Sequence, residues 1–196
     1  MPISTDGRNA ALGGLAVTHA SLHSGHPGDN GANEISGGGY ARVAVSFAAA
    51  SGGVRAQEGS AEFTVPAGAT VQHVGFWTAS SGGTFLGFQP LGNQPAREFV
   101  AELAGNLIRS PAHGLANGQQ IVFVGGTPPG GLVAGTVYFV VGAATDTLQV
   151  AATSGGAAID QTTQAASDCQ LVRIIPETFG GAGTLTISSA SLALNF

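Results

Sequence analysis

The sequence predicts an all-β protein: an antiparallel, jelly-roll-like β-sandwich with a second small β-domain inserted in its chain. Two observations lead to this prediction. Short runs rich in β-branched and aromatic residues recur along the chain, and glycine or proline separates most runs from the next. Glycine supplies 32 of the 196 residues, and few stretches repeat apolar positions at the helical period. Many short strands joined by turns are typical of sandwiches.

The first twenty residues are the least regular part of the chain. Residues 9–20 have some helical character, with Ser4 or Asp6 as the N-cap, but Gly13 and Gly14 weaken a helix there. We therefore predict a short helix or arm up to Gly14, followed by a strand over residues 15–22.

The remaining strands are recognised by their alternation of apolar and polar residues. In the stretch 71–77, Val74 and Phe76 share one face while His73 and Trp77 share the other. We assign Phe76 to the core and Trp77 to a subunit or domain interface. The full set of predicted strands is 40–47, 61–65, 71–77, 84–88, 121–124, 136–141, 147–151, 169–175 and 183–194.

A change of composition marks the middle of the chain. From residue 106 to residue 174 the sequence becomes a regular series of strand, glycine turn and strand, with Pro111, Pro128 and Gly155 among the turn residues. We predict a discontinuous β-sandwich domain over residues 1–105 and 176–196, with an N-terminal arm, and a small inserted β-module over residues 106–175. A domain inserted at a loop tip is tolerated because the chain passes between the two domains only twice.

Charge and hydropathy exclude several kinds of partner. Only 9% of residues are charged, the net charge is −5, and the six basic residues, all arginines, are outnumbered by eleven acidic ones. This composition argues against a basic groove that binds the phosphate backbone of a nucleic acid. No apolar run is long enough to cross a bilayer, and the first residues lack the order of a signal peptide. We therefore expect a soluble, unprocessed chain with no nucleic-acid or membrane partner. Cys169, the only cysteine, is expected to be a small buried apolar residue.

One histidine-rich stretch is a candidate site. His19, His23 and His26 lie close to Asp29 in sequence, and three roles stay open: solvated loop histidines, hydrogen bonding at a subunit interface, or a metal site. His113 precedes a glycine turn and is expected to bond the turn backbone.

Catalytic patterns are missing from the sequence. It has no G-x-S-x-G elbow, and its nearest carboxylate pair, Glu98 and Glu102, has no arrangement that fixes a catalytic spacing. The glycine runs lack the lysine of a phosphate loop. We expect no enzymatic activity, no catalytic residues, no cofactor and no metal.

Four stretches resemble known phage proteins. LHSGHPGDNGANEISGGGYARVAVSF, residues 22–47, is similar to the opening of a family of small structural proteins of tailed phages, which includes head-decoration, minor tail and tail-fibre proteins. The resemblance continues over residues 61–87 and 182–195, and these stretches lie in the predicted discontinuous domain, which makes up about two thirds of the chain. SPAHGLANGQQIVFVGGTPPGGLVAGTVYFVV, within the insert, resembles a β-module of phage fibre and virion proteins.

The resemblance implies a structural protein of the phage particle. The first expectation is a surface decoration or minor capsid protein that binds other virion proteins, located on the virion surface and assembled in the host cytoplasm. The alternative is a minor tail or fibre protein that acts as a receptor- or carbohydrate-binding adhesin. The expected partners are other copies of the chain, major capsid or tail proteins, and host-surface glycans.

The low charge also favours a surface that is covered in an assembly. The resemblance implies three-fold positions in the particle, so we expect a homotrimer whose contacts involve residues 2–14 and 23–39. Pairing of Arg42 with Glu34 is expected across the loop of the motif at residues 22–47, where the turn residues Pro27 and Gly28 give the motif a role in folding. The candidate interface residues are His23, His26, Asp29, Tyr40, Arg42 and Trp77.

Overall fold

A computed structural model describes residues 3–92 and 94–193, and it confirms the all-β fold class. One helix precedes a series of short antiparallel strands. The helix α1 spans Thr5–Gly13, and the strands are β1 His19–His23, β2 Val43–Ala44, β3 Ser46–Phe47, β4 Val54–Glu58, β5 Ala61–Val65, β6 Thr70–Val71, β7 His73–Trp77, β8 Phe85–Pro90, β9 Val100–Glu102, β10 Leu107–Arg109, β11 Gln120–Val124, β12 Tyr138–Val141, β13 Thr147–Ala151, β14 Gln170–Ile174, β15 Glu177–Thr178, β16 Gly183–Ile187 and β17 Ser191–Ala193.

The N-terminal helix forms as the capping signal predicts. The Ser4 hydroxyl accepts a hydrogen bond from the Gly7 amide at 3.1 Å, and α1 ends at Gly13. The following strand begins at His19, so the prediction of a strand from residue 15 is wrong. Arg55 donates to the carbonyls of Leu12 and Leu15, which are thereby satisfied without a strand partner.

Other predicted strands also change their bounds. Residues 40–42 are not in a strand, and the predicted strand 71–77 divides at Gln72 into β6 and β7. Four observed strands, β4, β9, β10 and β15, lie outside the predicted set. The predicted end of the last strand, Leu194, lies outside the described residues.

The chain divides into two compact units, Met1–Asn93 with Pro176–Phe196, and Gln94–Ile175. The first contains a four-stranded sheet of order β2-β1-β7-β8 and the small sheets β15-β6, β16-β5 and β17-β4-β3. Its core packs Leu22, Val74 and Phe76 from the four-stranded sheet with Phe63 and Ile187 from β5 and β16. This arrangement is sandwich-like, and it confirms that Phe76 and Val74 face the core.

The second face of β7 is buried too. Every residue of His73–Trp77 is buried, and only 6% of Trp77 is exposed. The expectation that Trp77 faces a subunit or domain interface is therefore wrong: residues of its own chain enclose it. Period-two alternation separates the two faces of a strand, but it does not tell whether a loop covers the second one.

The second unit is a sheet that closes on itself. Its order is β14-β11-β12-β13-β10-β9, and Arg97, shortly before β9, pairs with Leu171 of β14 through reciprocal backbone hydrogen bonds of 2.9 and 3.0 Å. Residues 97–102 therefore pair with β10 on one side, through β9, and with β14 on the other side, through Arg97. Closure removes the free sheet edges. The enclosed core contains Ile108, Phe123 and Leu148, among other side chains.

Residues 94–105 therefore lie in the second unit, although the composition change placed them in the outer domain. Gly105 and Asn106 have φ values of +91° and +55° and form the turn between β9 and β10. The glycine-rich signal at residue 106 marks a hairpin and not a domain boundary.

Among the described residues, no helix has the length and apolar character needed to cross a membrane.

A deletion experiment tests whether the first unit folds alone. Replacing residues 94–175 by a short Gly-Ser linker should leave a folded, protease-resistant protein, because the core of the first unit uses none of the removed residues. The matched deletion of 106–175 should leave residues 94–105 sensitive to chymotrypsin, since β9 loses both β10 and the Arg97 partner. Circular dichroism and limited proteolysis measure both results. Unfolding of the 94–175 deletion would contradict independent folding of the first unit.

Candidate functional site

The loop between β1 and β2 lies over the second face of the four-stranded sheet. We call residues 24–42 the cover loop. It turns back on itself through the Ala32 amide, which donates to the Pro27 carbonyl at 2.7 Å. The Ile35 amide then donates to the Leu22 carbonyl at 2.9 Å, which ties the loop to the end of β1. Gly31 has a φ of +74° and packs directly against the Trp77 indole, where a Cβ has no room.

Arg42 links the cover loop to the sheet. Its Nε and Nη2 donate to the Glu34 carboxylate at 2.9 and 2.8 Å, which confirms the predicted pair. Its Nη1 donates to the Gly82 carbonyl at 2.7 Å, and the guanidinium lies 3.3 Å from the centre of the Trp77 ring. Arg42 therefore joins the cover loop, the turn before β8 and the indole of β7.

Tyr40 ties the cover loop to β1. Its hydroxyl accepts from the Leu22 amide at 2.8 Å and donates to Glu34 Oε1 at 3.3 Å. Burial raises the pKa of Tyr40, so the phenol stays protonated and keeps its donor role.

A polar cleft of about 350 Å³ opens beside these residues. Its lining includes Glu34, Tyr40, Arg42, Ser80 and Ser81. Arg42 and Glu34 form an ion pair, so neither presents an unpaired charge to the cleft. The cleft instead presents polar groups whose positions are fixed by the fold. This suits contact with a polar surface.

A continuous hydrogen-bonded chain runs beneath the cover loop. Trp77 Nε1 donates to Ser21 Oγ at 2.8 Å, and Ser21 Oγ lies 2.7 Å from His23 Nε2. His23 Nδ1 lies 2.7 Å from the Ala32 carbonyl, which can only accept. The neutral imidazole therefore carries its proton on Nδ1 and accepts the Ser21 hydroxyl at Nε2.

This serine–histidine pair has no catalytic arrangement. Ser21 and His23 are both 0% exposed, and a backbone carbonyl, not a carboxylate, orients the imidazole. Gly75, the cross-strand neighbour of Ser21, has no room for a side chain, because a Cβ there would collide with the His23 ring and with Ser21. The packing closes this pair to a substrate.

Two further histidines complete the covered face. His73 is the cross-strand partner of His23, and the His26 ring contacts it edge to face at a centroid distance of 5.9 Å. Phe88 of β8 packs against both rings, 4.7 Å from His26 and 5.5 Å from His73. The Gly28 amide donates to His26 Nδ1 at 3.1 Å.

The structure brings the candidate interface residues together around the cover loop, but to different depths. Asp29 is exposed, and His26, Tyr40 and Arg42 are half-buried. His23 is buried, as is Trp77, so the expectation that His23 reaches a partner surface directly is wrong. The backbone returns over β1 at Ile35 and thereby encloses His23. An interface role for the other four residues stays a prediction.

Sequence reasoning missed Ser21 and His73. The alternation of His19, Ser21 and His23 along one strand was visible, but the register that pairs His23 with His73 was not. Within residues 3–92 and 94–193, no cluster of three or more His, Cys, Asp or Glu side chains has an arrangement that could hold a metal ion.

The remaining sequence candidates have structural partners in the second unit. His113 Nδ1 accepts from the Leu115 amide at 2.9 Å, which confirms the predicted bond to the turn backbone. Glu102 pairs with Arg109 across the β9–β10 hairpin. Cys169 is buried as predicted, and burial raises the pKa of its thiol to about 11.

Comparison with known proteins gives one family match. Residues 7–98, just under half of the chain, match a family described as podophage GP4 fiber I protein gp80. The matched stretch contains most of α1, the cover loop and all four strands of the β2-β1-β7-β8 sheet. The match supports a structural protein of a phage particle and leans toward a fibre or tail component. No curated protein and no solved structure matches the chain.

Proposed function

We propose that the chain is a non-enzymatic structural component of a tailed-phage particle and that it belongs to the tail-fibre apparatus. The match of residues 7–98 to a podophage fibre family carries this proposal. A decoration or minor capsid protein is the first expectation from the sequence, with a fibre protein as the alternative. Since the matched family is described as a fibre protein, we now favour the fibre.

The geometry of the candidate site supports a structural role. Its polar side chains bond to other parts of the same unit: Arg42 to Glu34 and Gly82, and Tyr40 to Leu22. The groups that resemble catalytic residues, Ser21 and His23, are enclosed. Such a network fixes the shape of a surface loop, which is what a protein that binds other virion proteins requires.

Separating the parts of the particle tests the location. Particles produced from the genome that encodes the chain would be split into heads and tails, and the chain quantified in each by mass spectrometry. We expect it in the tail fraction, in a fixed ratio to the other tail proteins. Its presence in the head fraction alone would favour decoration, and its absence from purified particles would contradict a structural role.

We also propose that the chain forms a homotrimer through the outer surface of the cover loop. Pro2, in the expected N-terminal contact, lies outside the described residues. The described part of that arm is held within its own chain, since Asn9 Oδ1 accepts from the Gly53 amide at 2.8 Å. The arm therefore needs no partner to become ordered, and the proposed contact depends on exposed loop residues such as Asp29.

Multi-angle light scattering tests the trimer. The chain has a mass of 19.3 kDa, and we expect three times that value at micromolar concentration. Asp29→Arg should shift the mass toward the monomer, because each of the three equivalent contacts of the ring would then contain a larger side chain of the opposite charge. Glu62→Arg, a matched reversal at an exposed position of β5, should leave the trimer intact. A monomeric wild-type chain would contradict the trimer but not the structural role.

A further inference from the structure

Three imidazoles lie together between the cover loop and the sheet. His23 and His73 are cross-strand partners on β1 and β7, and both are 0% exposed. His26, from the cover loop, contacts the His73 ring. The loop therefore rests on the sheet partly through a contact between two histidines, and the contact changes if either one gains a proton.

The surroundings of His73 favour its neutral form. Neither ring nitrogen of His73 has a hydrogen bond of acceptable geometry, although both are buried. The Gly25 backbone is the one group near it that favours the charged form, and its effect is the weakest of those acting on His73. The Phe88 ring packs against its side, so the imidazole lies in a mainly aromatic site.

The charged and titratable groups around the cluster come from several elements. His23 and His26 face His73 from β1 and from the cover loop, and each would repel a second positive charge. Glu34 favours the charged form of His23 while Arg42 opposes it. Asp29 favours the charged form of His26 from an exposed position. No carboxylate bonds to any of the three rings in the described structure.

We propose that these three histidines form an acid-sensitive latch, which holds the cover loop on the sheet when neutral and releases it when protonated. Release lets water reach His73 and separates His26 from it. Opening also removes Gly31 from the indole, and so exposes Trp77, while Val74 and Phe76 on the other face of β7 keep their contacts with Phe63 and Ile187 in the core. The latch does not depend on the proposed place of the chain in the particle.

The direction of the pH effect follows from burial. Burial lowers the pKa of His23 and of His26, and it lowers the pKa of His73 to about 4 from its usual 6.5. The closed state binds fewer protons than the open state between these values, so closure is fully stabilised above pH 6.5 and weakens as the pH falls toward 4. Protonation of His73 alone should increase the equilibrium constant for opening on the order of 100-fold between pH 6.5 and pH 4.

Trp77 gives a direct readout because it is the only tryptophan in the chain. We expect acrylamide quenching of its fluorescence to rise as the pH of the full chain falls from about 7 to about 4, while the far-ultraviolet circular dichroism is retained. Hydrogen exchange gives a second readout. The Ile35 amide, which bonds to Leu22, should lose protection before the amides that join β1 to β7.

Variants of His73 test the mechanism. His73→Phe removes the titrating group without removing a hydrogen bond, and His73→Met is a more adaptable replacement if phenylalanine does not fit. In either folded variant the quenching transition should move to lower pH. His19→Gln, at a half-buried histidine of β1, should leave the transition unchanged.

The proposal fails on any of three results. The first is a quenching transition at the wild-type pH in the folded His73 variants. The second is no exposure of Trp77 in the wild-type chain down to pH 4. The third is loss of circular dichroism at the pH where Trp77 becomes exposed, which would indicate global unfolding. If neither variant folds, the wild-type hydrogen exchange decides: equal loss of protection at Ile35 and in the β1–β7 pair would overturn the latch.

Discussion

Trp77→Ala should lower the free energy of unfolding by about 3–5 kcal/mol, as large-to-small changes in a core do. The indole is 6% exposed, and its removal leaves a cavity between Gly31 and Phe85. The change also removes the donor to Ser21 and the ring beneath Arg42. Chemical denaturation followed by circular dichroism measures the loss, since the variant has no tryptophan fluorescence.

Two matched variants make this prediction sharper. Phe76→Ala, at the neighbouring core position, should have a cost in the same range, because both faces of β7 are buried. Trp77→Phe keeps an aromatic ring and should lose only about 1–2 kcal/mol with the hydrogen bond to Ser21. If Trp77→Ala weakened assembly and left stability unchanged, the original assignment of Trp77 to an interface would be correct.

Arg42→Ala should lower the free energy of unfolding by about 2–4 kcal/mol, because it leaves the half-buried Glu34 carboxylate without its partner. It also releases the Gly82 carbonyl and uncovers the indole. Denaturation measurements would give the stability, and acrylamide quenching of Trp77 would show the loosened cover loop. Adding Glu34→Gln should recover part of the loss, since the unpaired charge is then removed.

Arg109→Ala is the matched control for Arg42→Ala. Arg109 also pairs with a glutamate, but its side chain is 48% exposed, and exposed ion pairs contribute little to stability. We expect no measurable change. Equal effects of the two substitutions would contradict the role of Arg42 as the tie between loop and sheet.

Local sequence signals predicted the parts of the fold that depend on neighbouring residues. Ser4 was one of the two predicted caps and does cap the helix, and alternation along β7 placed Val74 and Phe76 in the core. Each of these inferences needs only a few consecutive residues. The pairing of Arg42 with Glu34 was also within reach, because eight positions separate the two residues.

The features that the sequence did not predict depend on distant contacts. Burial of Trp77 requires Gly31 and Arg42 to fold over it, and Arg42 bonds to Gly82 across forty positions. The start of the inserted unit was misplaced because a hairpin turn and a domain boundary have the same glycine-rich composition. The histidine cluster requires the register between β1 and β7, which composition does not specify.

A density map of the intact particle by electron cryomicroscopy tests the central proposal most directly. The chain should fit density in the fibres of the tail, with its two units recognisable and its copies arranged around a three-fold axis. Density for the chain on the head shell would contradict the fibre assignment, and a complete particle without it would contradict its role as a structural protein of the virion.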